Sequence, residues 1–186
     1  MAIDTMQVVA PPKEAFPVPE TSAPLRLTGW DHVAFSVPDL VGAERWYVDV
    51  LGAEPVGRYN WGGDTAHDDA PPHCDVRIGS NVISLFLGDP IGPTSVPPIV
   101  HYAFNCRSLE ELEQWQAHLR SKGVKLRSDG AFYAHPGFGA VSVYFEDPWG
   151  CKLEITTWLP DWPTAEAEVI KRGGVIMGAD GPRPAR

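Results

Sequence analysis

Apolar and polar positions along the chain change period in an order that repeats. Trp30–Val37 reads as a β-run that stops at Pro38-Asp39. Asp39 is placed to cap a helix over Leu40–Val50, where Leu40, Ala43, Trp46, Tyr47 and Val50 recur near helical spacing. Leu51-Gly52 closes that helix, because glycine takes the left-handed cap position without a Cβ penalty. Runs at Glu54–Tyr59, Asp75–Ile78 and Val82–Leu87 predict three strands between turn-rich loops. The order then starts again. Ile99–Cys106 predicts a strand, Ser108 caps a helix to about Ser121, and Lys122-Gly123 ends it. Strands are expected at Val124–Arg127, Val141–Phe145 and Lys152–Thr157, then a short helix over Thr164–Lys171.

Writing the chain over itself at an offset of 69 residues makes the recurrence explicit. His32 falls on His101, Ala34 on Ala103, Phe35 on Phe104, Leu40 on Leu109, Glu44 on Glu113 and Trp46 on Trp115. Six identities in fifteen positions exceed chance and indicate an internal duplication of one supersecondary unit. The expected fold class is α+β, with two βαβββ units forming a half-open eight-stranded barrel around a cleft. The first unit spans about 29–96 and the second about 97–158, in a single module over 27–160. Residues 1–26 form a Pro-rich arm, and 161–186 a short helix and tail without a core of its own.

Composition narrows the classes of function. The 186 residues carry a formal charge of −9, which disfavours nucleic acid, since phosphate contacts need a basic face. No apolar run reaches the roughly 18 residues of a membrane span. Gly (18) and Pro (19) make up about a fifth of the chain, too many for a helical bundle. Three cysteines with no CxxC, and an N-terminus without a secretory pattern, lead to the expectation of a soluble cytoplasmic protein.

Candidate chemistry starts from the duplicated histidines. In a strand alternate residues share a face, so His32 lies with Ala34 and Ser36, and His101 with Ala103 and Asn105. Small neighbours leave room for a ligand. A pseudo-twofold pairing of the units would bring the two imidazoles together. Glu154 is an ionisable residue in the strand-forming run Cys151–Thr157. Two His and one carboxylate with open positions suit non-haem Fe(II) and also Mn(II), and a Zn(II) hydrolase uses three comparable ligands. Each of these residues also has a plain reading, as a satisfied core or solvated strand side chain. Trp46 and Trp115 read as helix-to-sheet packing, and Cys106 and Cys151 as small buried apolar groups.

The duplicated units, the segment DHVAFSVPDLVGAERWYVDVLG and the later FEDPWGCKLEI resemble the vicinal oxygen chelate superfamily over about 29–158. That superfamily includes glyoxalase I, the fosfomycin- and bleomycin-resistance proteins and the type I extradiol dioxygenases. The resemblance implies a metal held by His32, His101 and Glu154. Glyoxalases usually add a Glu from the fourth strand, but Asn81–Leu87 has no carboxylate. Fosfomycin transferases bring basic residues for the phosphonate, and the strands here offer only Arg77, Arg127 and Lys152. The closest spacing is that of the extradiol enzymes, which have a Tyr ten residues before the metal Glu and a His nine before that Tyr. Tyr144 and His135 match those positions. The resemblance implies that Tyr144 hydrogen-bonds a substrate diolate and that His135 handles a proton.

The extradiol enzymes' acid–base His, by the fourth strand, has no counterpart here; His67 and His73 are candidates to replace it. Trp61, Phe132, Phe138 and Trp149 are candidates for a pocket lining, with packing an equal account of each. The leading expectation is therefore an Fe(II) dioxygenase, with Mn(II) or Zn(II) as alternative metals, that cleaves an aromatic diol with O2. The rivals are a glyoxalase-type isomerase or lyase and a non-catalytic small-molecule binder. Members of the superfamily often dimerise, some by exchanging modules, so a homodimer is expected.

Overall fold

The computed structural model describes residues 31–61, 71–90, 101–135 and 139–178, together with the backbone of 181–184. The first unit runs β1 (His32–Val37), α1 (Leu40–Leu51), β2 (Glu54–Tyr59), β3 (His73–Ile78) and β4 (Asn81–Leu87). The second runs β5 (Tyr102–Asn105), α2 (Leu109–Ser121), β6 (Tyr133–Ala134), β7 (Ala140–Glu146) and β8 (Lys152–Trp158). Helix α3 (Trp162–Lys171) and strands β9 (Val175–Gly178) and β10 (Gly181–Pro184) follow. The caps are those expected: the Asp39 side chain accepts from Gly42 N, Ser108 from Glu111 N, and Gly52 sits at φ 67°.

The strands form two separate sheets, ordered β1-β4-β3-β2 and β10-β9-β6-β7-β8-β5, and no barrel closes among the described residues. In each sheet the opening strand of the unit pairs parallel with the last, β1 with β4 and β5 with β8. The sheets share one core. Helix α1 buries Leu40, Ala43, Tyr47 and Val50, and helix α2 buries Leu109, Leu112 and Leu119. Each large apolar side chain so buried contributes about 1.5–3 kcal/mol. Phe35 of β1 meets Tyr102 of β5, with ring centroids 4.6 Å apart. Because alternate residues of a strand face opposite ways, the sheets touch through the faces opposite His32 and His101.

Two predicted regions turn out differently. Val124–Arg127 makes only an isolated bridge, Leu126 to Phe145, and then a 3-10 turn over Arg127–Gly130. The second strand of the second unit is instead β6. The tail also has a place in the fold: β9 pairs parallel with β6, and β10 closes a hairpin on it. Ala165 and Val169 of α3 are fully buried, so the segment after 160 packs into the shared core. The Pro-rich arm lies outside the described residues.

Two polar links hold the units in place. The Tyr47 hydroxyl donates to Asp147 Oδ2 across 3.0 Å in a buried contact, and Asp147 Oδ1 accepts from Trp149 N and Cys151 N. His118 Nε2 lies 2.9 Å from the Val50 carbonyl, tying α2 to α1. Within the first unit the Arg58 guanidinium grips the buried Glu44 carboxylate with two N–H groups, one at 2.8 Å.

Tyr47→Phe should destabilise the fold by about 1–3 kcal/mol in urea denaturation, because it strips a buried carboxylate of its hydroxyl donor. An unchanged midpoint would refute that role for the pair. The Arg58 hydrogen bond holds the Glu44 carboxyl below its ordinary 4.5, against the opposing pull of burial. Its contribution is therefore full above pH 4.5 and is lost as pH falls through the lowered folded value. The midpoint difference between wild type and Glu44→Gln should accordingly be largest at neutral pH and shrink in acid.

Candidate functional site

The face of the second sheet turned away from the shared core collects most of the predicted site. Strand alternation puts Ser142, Tyr144 and Glu146 of β7 on the same face as Lys152, Glu154 and Thr156 of β8, with Tyr144 paired to Glu154 and Ala103 beside Glu154. His101, the residue before β5, reaches Glu154: its Nε2 is 2.7 Å from Oε2. The Ser142 hydroxyl donates to the other carboxylate oxygen, Oε1. Glu154 is only 6% exposed. Burial alone would raise its pKa, but the hydrogen bonds from His101 and Ser142 outweigh it and hold the carboxyl below its ordinary value. The carboxylate is thus charged, and both of its oxygens are oriented.

Tyr144 and His135 complete the cluster. The Tyr144 hydroxyl lies 2.8 Å from His135 Nε2 and also hydrogen-bonds Glu154. A carboxylate only accepts, so the tyrosine O–H points to Glu154 and the His135 Nε2–H donates to the tyrosine oxygen. Burial, reinforced by the Glu154 charge, pushes the Tyr144 phenol far above its usual range and keeps it neutral. Burial also lowers His135, so its imidazole is neutral near pH 7. His101 packs edge-on against Tyr144 at 5.5 Å, and Tyr133 does the same at 5.2 Å.

His32 is not part of this group. It sits on the edge strand of the first sheet, half exposed, with Nδ1 2.8 Å from Asp31. Among the described residues no three His, Cys, Asp or Glu side chains are placed to hold a metal. The donor chemistry of His101 and Glu154 suits Fe(II), Mn(II) or Zn(II), but one chain brings together two donors of the expected three.

The two sheets also correspond residue by residue. Ala34 pairs with Ser84, which pairs with Asp75, where Ala103 pairs with Glu154, which pairs with Tyr144. Ser84 thus stands where the second unit has its carboxylate, and Asp75 where it has its tyrosine. Asp75 Oδ1 is buried and makes no hydrogen bond among the described residues. His73 lies on the same face, stacked between Tyr59 and Phe86 at 4.8 and 4.5 Å.

Other candidates separate clearly. Phe132 is core, and Trp61 and Trp149 pack against the core's edge, with Arg58 over the Trp61 ring. Trp46 and Trp115 pack there too, as predicted. His67 and Phe138 lie outside the described residues. Cys74 and Cys151 are buried, with thiols pushed up to about 12 chiefly by burial, and are inert as nucleophiles. Ser142 escaped the sequence reading; the period-2 alternation that puts it beside Glu154 was the available signal.

Comparison with known proteins agrees with this architecture. FosX from Listeria monocytogenes, solved as a fosfomycin resistance protein complexed with Mn(II) and sulfate, superposes with a TM-score of 0.57. It is 18% identical, over 73% of this chain and 94% of that one. A lactoylglutathione lyase from Agrobacterium tumefaciens is 21% identical over 70% and 94% of the two chains, at TM-score 0.51. A glyoxylase/bleomycin resistance protein/dioxygenase domain from Frankia is 21% identical over 72% and 100%, at 0.55. No curated protein sequence matches the chain. The family model for the Glyoxalase/Bleomycin resistance protein/Dioxygenase superfamily matches residues 29–155. A duplicated unit, two parallel-closed sheets and that match lead to one conclusion: this chain belongs to the glyoxalase/bleomycin resistance protein/dioxygenase superfamily.

Proposed function

We propose that the protein is a metal-dependent enzyme of the extradiol dioxygenase type, acting on a small substrate with two vicinal oxygens. The observation that carries this reading is the contiguous set His135–Tyr144–Glu154–His101, in which a neutral phenol and a neutral imidazole flank a metal-ligand pair. His101 and Glu154 would hold a divalent metal, Fe(II) in the first instance, and His32 of a second copy would complete the set. The Mn(II) in the FosX structure supports a divalent metal in this fold. When bound, Fe(II) would supply positions for both substrate oxygens and O2, and the redox capacity that lets both atoms of O2 enter the product without an outside reductant.

The chain's own side chains do the rest. Tyr144 turns its O–H from Glu154 to a substrate oxygen and stabilises the diolate charge. His135, neutral at working pH, takes the proton that the diol releases on ionisation. Ser142 keeps the Glu154 carboxylate oriented when the tyrosine turns away. The separation of His32 from the other two ligands favours a dimer in which the first sheet of one copy faces the second sheet of the other. That pairing would build the half-open eight-stranded barrel expected from the duplication. It would also bring His73 and Asp75 of the second copy to the cleft. The orphaned Asp75 carboxylate favours a second reading, a lyase or isomerase in which it removes a carbon-bound proton.

Substrate-dependent O2 uptake is expected from protein reconstituted anaerobically with Fe(II) and offered a panel of catechols. Uptake should vanish with Zn(II) and in His101→Ala, and kcat should fall on the order of 10²-fold in Tyr144→Phe. Tight metal binding without uptake on any diol would sink the dioxygenase reading in favour of the lyase or isomerase. The shared site has its own test. His32→Ala and His101→Ala proteins should each lose metal. Co-refolded in equal amounts, they should recover about a quarter of wild-type metal content, because half the dimers are mixed and each holds one intact site. No recovery on mixing would place all three ligands in one chain.

A further inference from the structure

A cavity of about 410 Å³ opens beside the metal-ligand pair, and its wall is basic. His101 and Tyr144 form one side, and Lys125, Arg127 and Lys152 line it with Glu146. The chain has only 15 Lys and Arg against 24 Asp and Glu, so three cations around one small opening run against its overall charge. Lys125 is neutralised by Glu146 at 2.7 Å. Arg127 and Lys152 have no carboxylate partner among the described residues.

These two cations differ in how they are held. The Arg127 guanidinium lies over the rings of Tyr133 and Tyr144, 5.2 and 5.6 Å from their centroids. Contact with both rings, which stand nearly perpendicular to each other, restrains the guanidinium, and its planar set of N–H donors suits bidentate capture of a carboxylate or phosphoryl group. Lys152 comes from the adjacent strand: it pairs across from Glu146, lies two residues before Glu154 on the same face, and is level with His101. Arg127 and Lys152 reach the cavity from either side of β7, neither of them in an ion pair among the described residues, and low-dielectric walls focus their field on the opening.

We infer that the substrate of this site carries an oxyanion, a carboxylate or a phosphoryl-type group, held between Arg127 and Lys152 while its vicinal oxygens face His101 and Glu154. The inference rests on the proposed function for where the substrate chelates, and the anion subsite itself stands on the cavity and its two cations. It makes a plain catechol a poor ligand and a ring-carboxylated or phosphorylated one a good one. It also gives Arg127 a double role, because the fork that takes the anion rests on the ring of Tyr144 and so helps to position that hydroxyl.

Calorimetry on the full chain tests this without turnover. Benzoate and inorganic phosphate are titrated separately into metal-free protein, which distinguishes the two oxyanion chemistries. At least one should bind, with affinity weakened about tenfold or more in both Arg127→Gln and Lys152→Gln and falling as salt rises. Lys152 takes no part in the tyrosine stack, so loss in both variants separates anion capture from disturbance of Tyr144. Arg127→Lys, which keeps charge but not the fork, should fall between. In Zn(II)-loaded protein, 3,4-dihydroxybenzoate should bind at least tenfold tighter than catechol, and the ratio should drop toward one in either glutamine variant. Binding of neither ion, or a wild-type ratio near one, or a ratio unmoved by both substitutions, overturns the proposal. Absence of O2 uptake does not touch it, since every readout here is binding.

Discussion

The contact between Phe35 and Tyr102 joins the two sheets from their helix-covered sides, and the placement of polar residues depends on that choice of face. Period-2 alternation then sends His32, Ala34 and Ser36 one way and His101, Ala103 and Asn105 another, away from the shared core. The apolar residues that hold the units together and the polar residues of the candidate site are interleaved along the same strands. A one-residue slip in β1 or β5 would therefore exchange them and lose both. The buried Tyr47–Asp147 link helps to fix the arrangement from the helix side, since it joins α1 of the first unit to the turn before β8 of the second.

Much of this was legible in the chain. The offset of 69 residues located β1 against β5 and α1 against α2, and the caps at Asp39 and Ser108 set the helix starts. Local pattern failed where tertiary pairing decides. Val124–Arg127 alternates like a strand, yet Ser128 and Asp129 adopt positive φ, and the chain turns before a ladder can form. The tail looked coreless because its apolar residues are few. Its strands are stabilised by β6, a neighbour some forty residues earlier that no local window could reveal.

The site divides along the same line. His101 was named by the duplication, and Glu154, Tyr144 and His135 by the resemblance and its motif spacing; all four lie within one unit, and the structure gathers them. His32 was named by the same duplication, but its distance from the others depends on how the units pack, which spacing does not encode. The reverse holds for Arg127 and Lys152. Counted along the sequence they are two scattered cations in an acidic chain, and only the turn after Leu126 and the register of β8 set them on one wall.

The parallel pairing of β9 with β6 gives the segment beyond the duplicated units a direct hold on the candidate site. Strand β6 is only two residues long, and His135 is the next residue in the chain. With β9 absent, those two residues would be the rim of the sheet, paired on one side only and prone to fray. His135 would then lose the backbone anchor that keeps its imidazole against Tyr144. Shortening the chain after Arg172 should therefore loosen the His135 end of the cluster while leaving Glu154, two strands further in, and His101 beside it where they are. Strand β9 thus acts as a splint for the short strand that leads into His135.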